Sequence, residues 1–294
     1  MNSVANETTE TKSLLFNSSL ISAYKDVESR ELYDVKIIRC GDYLQVYKFT
    51  DIRSKINKKD RETKINIKKI DTDNLSKVSN DRVEEVKPIL LANAIRSNLN
   101  CQRIAKANKD SWETFITLTF KENITDIVKA NKIFHNWVSN IRRLKKDFKY
   151  IAVPEFQKRG AVHYHVLSNL GKEDKEIIFK QLIKTGKAVK YDDLYDVKYW
   201  SKGFARVDFI KKDYKKIYGY ICKYMTKDID NKLFGKHRYF NSQNLIKPFE
   251  EYLDLSNPLH LAQFIELTRN KNVEYSSNYK DIYTDTSIEF MELL

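Results

Sequence analysis

Alternating apolar and polar positions mark a hairpin early in the chain. "DVKIIRCGDYLQVYKFTD" carries two β-rich runs on either side of Cys40-Gly41-Asp42. The charged stretch that follows, "RSKINKKDRETKINIKKIDTDN", reads as a linker or a solvated face. From Asp81 the apolar spacing lengthens to that of a helix, running to about Ala107. "TFITLTF", Thr114 to Phe120, reads as a strand closed by Lys121-Glu122-Asn123. In "ITDIVKANKIFHNWVSNIRRLKK", Thr125 is a candidate N-cap, and Ile127, Phe134, Trp137, Ile141 and Leu144 share a helix face. "KYIAVPEF" and "AVHYHVLSNL" form two strands joined by the turn "QKRG". A helix over Glu173 to Lys184, a strand over Phe204 to Ile210 and a helix from about Tyr214 to Asp228 complete the pattern. This order predicts an α+β fold, an antiparallel central sheet covered by helices on one side. It divides the chain into an accessory segment over residues 1–80, a central domain over 81–238 and a C-terminal segment over 239–294.

Composition narrows the class. With 41% apolar and 12% aromatic residues in 294, the chain can bury a real core. Three cysteines without CxxC spacing argue against a disulfide framework or a thiolate metal site and fit a reducing compartment. The N-terminus "MNSVANETTETKS" has no apolar signal core and no run is long enough for a membrane span, so a cytoplasmic protein without a membrane partner is expected. The net charge of +13 favours a polyanionic partner, although a chain so rich in Lys, Asn, Ile and Tyr makes bulk charge weak evidence. Its distribution says more. Lys198 to Lys227 holds nine basic residues against Asp208 and Asp213, and the tail from Glu250 holds nine acids against three bases. Nucleic acid is therefore the expected partner, with Lys202, Arg206, Lys211, Lys212, Lys215 and Lys216 as candidate binding residues.

Two constellations carry chemistry. On a strand, positions i and i+2 point the same way, so His163 and His165 project from one face. An arbitrary HxH pair is more often two satisfied histidines than a metal site. Here the apolar flanks put the pair in a well-ordered strand, and hairpin pairing could bring the Glu155 carboxylate to the same face. Two nitrogens and one carboxylate suit Mn²⁺ or Mg²⁺ acting as a Lewis acid. The second constellation is "YGYICKYMTKD". As a helix, it places Tyr220, Lys223, Tyr224 and Lys227 on one face and Tyr218, Ile221, Cys222 and Met225 on the other. A tyrosinate attacks a phosphodiester well, and Lys223 and Lys227 could stabilise it or bind phosphate. In a chain with 18 tyrosines, a merely solvated aromatic and basic face is the competing reading.

"FITLTF", then Glu155 with "HYH", then "YICKYMTKD" resembles the three successive motifs of the HUH endonucleases, specifically rolling-circle replication initiators of plasmids and single-stranded-DNA phages. The resemblance covers about Asp81 to Arg238 and implies an RRM-like nickase domain. It implies a divalent metal, Mn²⁺ or Mg²⁺, on His163, His165 and Glu155, which stands eight residues before the first histidine as in the family's replicon-type members. "KYMTKDID" is similar to the KYxxKDxD of some plasmid initiators and matches Tyr224 to their nucleophile. "YICKYMTK" is also similar to the YxxKYxxK of two-tyrosine phage initiators, which would add Tyr220. Tyr220 stands where the plasmid relatives carry a glutamate for hydrolytic termination. The implied activity is nicking and rejoining of single-stranded or cruciform origin DNA through a 5′-phosphotyrosine. With no GxxxxGK[ST] and so no ATP site, a host helicase and DNA polymerase would be partners. A single-tyrosine HUH transposase and a non-catalytic nucleic-acid-binding module are the alternatives.

Overall fold

A computed structural model describes residues 31–55, 80–175, 177–180, 194–210, 217–227, 236–281 and 286–294, with the side chains of 80–90, 178–180, 194, 217 and 224–227 outside the description. Two compact units divide the chain, one drawn from residues 1–38, 44–68 and 250–294, the other from 39–43 and 69–249.

The first unit is built on strands β1 (Leu32–Cys40), β2 (Tyr43–Ser54), β10 (Phe249–Leu253), β11 (Val273–Lys280) and β12 (Ser287–Leu293). They form a five-stranded sheet of order β10-β1-β2-β12-β11. β1 and β2 are the hairpin expected from the alternation. The antiparallel pairing of β2 with β12, Tyr47 opposite Phe290, joins the two ends of the chain in one sheet. Val35, Ile37, Leu44, Val46, Leu253 and Leu293 form its core, against which Phe264 and Leu267 of helix α4 (Pro258–Thr268) pack. Pro258 at the first turn and the Asn257 side chain accepting from Leu259 N start that helix.

In the second unit, helix α1 (Asn80–Ala107) precedes β3 (Thr114–Phe120), α2 (Ile127–Leu144), β4 (Tyr150–Phe156) and β5 (Val162–Ser168). Then come β6 (Ile177–Lys180), β7 (Leu194–Val197), β8 (Gly203–Phe209), α3 (Ile217–Lys227) and β9 (Phe240–Asn241). The strands form a seven-stranded sheet of order β6-β7-β8-β3-β5-β4-β9. The α+β antiparallel class is as expected from the sequence. Two local readings need correction. The helix expected over Glu173 to Lys184 is not formed at Ile177–Lys180, which is a strand paired antiparallel with β7. Its apolar Ile177, Ile178 and Phe179 suit a strand as well as one helical turn, and a run that short cannot be told apart by periodicity. The cap of α2 is Asp126 rather than Thr125, its carboxylate accepting from Val128 N at 2.8 Å.

One face of this sheet is core. Ile116, Leu118 and Phe120 of β3, Val162, Tyr164 and Val166 of β5, and Ala205 and Val207 of β8 pack with Phe134, Trp137 and Ile141 of α2. Of the predicted α2 stripe only Leu144, in the last turn, is exposed. The Tyr164 ring stacks on Phe134 at 4.5 Å, and its hydroxyl donates to Asn131 Oδ1 at 2.6 Å. Buried indoles are tied to the backbone, Trp137 to Lys198 O and Trp200 to Thr119 O, each at 3.0 Å. The opposite face carries α3, so helices stand on both sides rather than one. Pro154 in β4 lies beyond the short pairing with β9, where it withholds no ladder donor. Gly160 closes the β4–β5 turn at φ 84°, a backbone conformation that glycine adopts without strain.

Gly203 is the tightest point of the sheet. A Cβ there would lie 2.0 Å from Thr119 O, 2.6 Å from Lys121 N and 2.8 Å from Phe120 C, all backbone atoms with no rotamer to escape into. Gly203→Ala should therefore destabilise the protein by about 3 kcal/mol or more, measured as a lowered urea midpoint. An unchanged midpoint would mean that β8 does not approach β3 this closely.

Candidate active site

The face opposite the α2 core is organised in rows across β8, β3, β5 and β4. Phe204, Thr119, His163 and Glu155 form one row, and Arg206, Thr117, His165 and Val153 the next. Directly opposed residues of antiparallel strands share a face, so both histidines and Glu155 lie together. Glu155 pairs directly with His163 in register, yet its carboxylate reaches diagonally: Oε2 lies 2.7 Å from His165 Nε2. His165 Nδ1 lies 3.4 Å from Thr117 Oγ1, a long contact at the limit of hydrogen bonding.

His163 differs. It is 8% exposed, and its Nε2 is buried with no hydrogen-bond partner among the described residues. Leaving such an atom unsatisfied in a fold costs about 1–3 kcal/mol, so it calls for a ligand or a reason. Burial lowers the imidazole pKa to about 4, the neighbouring His165 adds to the shift and Glu155 opposes it. The ring is therefore neutral at physiological pH, the form a metal ligand must have. Among the described residues, no three His, Cys, Asp or Glu side chains are already gathered at metal-binding spacing. The donor set of two imidazoles and a carboxylate on one sheet face, one nitrogen orphaned, is nevertheless of the type that holds a hard or borderline divalent cation.

Helix α3 packs on this same face, against β4 and β5. Tyr218, Ile221 and Cys222 are buried while Gly219, Tyr220 and Lys223 are exposed, as the 3.6-residue period predicts. Burial pushes the Tyr218 phenol up to about 12, with Tyr43 and Asp110 adding to the shift, so this tyrosine stays protonated and structural. Cys222 fastens α3 to α1. Its carbonyl accepts from Asn98 Nδ2 at 3.3 Å, and its buried thiol raises the Cys101 pKa chiefly through their mutual hydrogen bond. Tyr220 is 39% exposed, and its ring meets Phe115 edge-on at 5.0 Å. Phe115 also stacks on His165 at 5.7 Å. One phenylalanine thus bridges the tyrosine helix and the histidine pair.

The structure brings together Glu155, His163, His165 and Tyr220, with exposed Lys223 three residues on. Tyr224 and Lys227 lie in the same helix, one and nearly two turns beyond Tyr220, with side chains outside the described set. Lys202 and Arg206 are exposed, and Arg206 Nε is 3.0 Å from Asp208 Oδ1. Lys211, Lys212, Lys215 and Lys216 lie outside the described residues. Sequence reasoning missed Thr117, Phe115 and Phe204. The alternation of "TFITLTF" already put Phe115, Thr117 and Thr119 on one face, but which face met the histidines depended on a pairing that sequence does not print.

Residues 113–229, the stretch from the start of β3 to just past α3, match the family of the replication-associated protein ORF2. The chain is also similar to the phasyl DNA replicon protein arp of Escherichia coli, at 30% identity over 132 residues, 40% of this chain and 44% of that protein. It thus spans less than half the length of the curated relative it matches. No solved structure matches it. The matched stretch contains every candidate catalytic and metal residue.

Proposed function

We propose that the chain is an HUH-type nickase that starts rolling-circle replication by cutting and rejoining origin DNA through a 5′-phosphotyrosine. The observation that carries the reading is Phe115, in ring contact with both His165 and Tyr220, which joins the tyrosine helix to the HxH pair on one sheet face. Glu155, His163 and His165 would hold Mn²⁺ or Mg²⁺, which when bound supplies Lewis-acid polarisation of the scissile phosphate. The Tyr224 hydroxyl, activated by Lys223 and Lys227, attacks phosphorus. The bond from phosphorus to the 3′ oxygen breaks, that oxygen takes up a proton, and the tyrosine keeps the 5′ phosphate. The free 3′-hydroxyl primes a host polymerase while a host helicase unwinds. Attack of a 3′-hydroxyl on the phosphotyrosine reverses the step and reseals the strand without net hydrolysis. The match to a replication-associated family favours this over a transposase using the same site. Incubation with Mn²⁺ and a library of single-stranded oligonucleotides, followed by denaturing electrophoresis, should show a covalent protein–DNA adduct on a subset of sequences. No adduct on any sequence, with binding intact, would leave a non-catalytic module.

The DNA track of this reading runs along Lys202, Arg206, Lys211, Lys212, Lys215 and Lys216. Their phosphate contacts release condensed counterions, so single-strand affinity should fall by about a hundredfold or more between 50 and 200 mM salt. Measured by fluorescence anisotropy, a flat salt response would remove the basic run from the binding surface.

A further inference from the structure

The row that holds Glu155 and His163 continues through Thr119 to Phe204, two strands from the histidine and so about 10 Å away. Burial falls off along it: His163 is 8% exposed, Thr119 is half-buried and Phe204 is 48% exposed. Along β8, Ala205 and Val207 are buried in the core, while Phe204, Arg206 and Asp208 alternate with them and are exposed. An aromatic ring therefore stands open to solvent at the end of the row that carries the orphaned His163 nitrogen.

The β3–β8 pairing runs on past the strand ends, because Lys121 N donates to Lys202 O at 2.8 Å. That bond keeps the register of Phe120 with Gly203 and sets two exposed lysines directly opposite each other. Lys202 precedes Phe204 by two residues, so it belongs to the same face. Like charges opposed across a ladder are destabilising. A phosphate between the two ammonium groups turns that repulsion into attraction. We infer that Lys121, Lys202 and Phe204 form a nucleotide subsite for single-stranded DNA, with a phosphate between the lysines and the base of the adjoining nucleotide stacked on the Phe204 ring. The inference rests on the nickase reading, which lays the strand across the row of Glu155 and His163. An exposed ring suits a single strand, whose bases are free to leave one another and each present a π face, and it tolerates any sequence.

Fluorescence anisotropy of the full chain with labelled oligodeoxythymidine, and with an abasic strand of the same length, tests the subsite. Phe204→Leu should weaken binding of oligodeoxythymidine about tenfold, Phe204→Trp should restore it, and wild type and both variants should bind the abasic strand alike. The Phe204→Leu loss should leave the salt slope unchanged, since no phosphate contact is removed, whereas Lys121→Ala should lower that slope by about one. Lys121→Glu should weaken binding further and yet hold or raise the urea midpoint, because it replaces a like-charged pair by an opposite one. A Phe204→Leu deficit equally large on the abasic strand, or a lowered midpoint in Lys121→Glu, would make these residues structural and overturn the subsite. Adduct formation scores the nickase reading separately. Adducts in the wild type with unaltered binding by Phe204→Leu and Lys121→Ala sink the subsite alone. No adduct on any sequence, with the base-dependent loss intact, sinks the nickase and leaves the subsite in a non-catalytic module.

Discussion

His163→Leu is expected to abolish nicking and yet leave the metal-free protein as stable as the wild type or more so. The imidazole Nε2 is buried without a partner among the described residues, so a leucine of similar volume removes an unsatisfied polar atom rather than a bond. The same substitution removes one of the nitrogens proposed to hold the cation, so activity should fall by more than about a hundredfold. Thermal melts separate the two effects. In EDTA the variant should unfold at or above the wild-type temperature, and added Mn²⁺ should raise only the wild type. His165→Ala and Glu155→Ala should also abolish nicking, but each also breaks the 2.7 Å contact between carboxylate and imidazole, so each should lower stability in EDTA as well. The pH dependence has a definite sign. The His163 pKa is about 4 in the fold and near 6.5 unfolded, so the unfolded state binds more protons between these values. In EDTA the wild type should lose stability as pH falls from about 6.5 towards 4, by a few kcal/mol at most, and His163→Leu should flatten that slope. Wild-type nicking by His163→Leu, or a Mn²⁺ response it retains, would remove this residue from the site.

Much of this arrangement was legible because it is local. The period-2 run "AVHYHVLSNL" aligned His163 with His165, and the 3.6-residue period of α3 separated Tyr218, Ile221 and Cys222 from Tyr220 and Lys223. The "QKRG" turn between β4 and β5 brought Glu155 opposite His163. What depended on distant pairing was not legible. Nothing local says that β2 pairs with β12, or that Phe115 of β3 touches both His165 and Tyr220. The misread segment at Ile177–Lys180 has three adjacent apolar residues that satisfy either period, and its pairing with β7 decides the outcome. Glu155 shows the same limit at atomic scale: register sets it against His163, while its carboxylate is spent on His165.

Removing the phenols of both Tyr220 and Tyr224 in α3 is expected to eliminate covalent adduct formation entirely, whereas removing either alone should not. Tyr220 and Tyr224 are four residues apart in one helix, a spacing that stacks side chains on a common face about 6 Å apart. Two hydroxyls so placed can take turns at one phosphate. Tyr224 holds the 5′ end while Tyr220 cuts the regenerated origin, and the released 3′-hydroxyl frees Tyr224 for another round. Tyr224→Phe and Tyr220→Phe should each keep part of the adduct yield, Tyr220→Phe should stall after one round of replication, and the double variant should form none. Tyr220 also has a packing role through its edge contact with Phe115, and the choice of phenylalanine controls for it. Tyr220→Phe keeps the ring and loses only the hydroxyl, while Tyr220→Ala loses both. A purely structural Tyr220 would leave Tyr220→Phe at the wild-type rate over many rounds, with every adduct mapped by mass spectrometry to Tyr224 and only Tyr220→Ala impaired. That pattern would exclude the alternating mechanism and leave an initiator that cuts with one tyrosine.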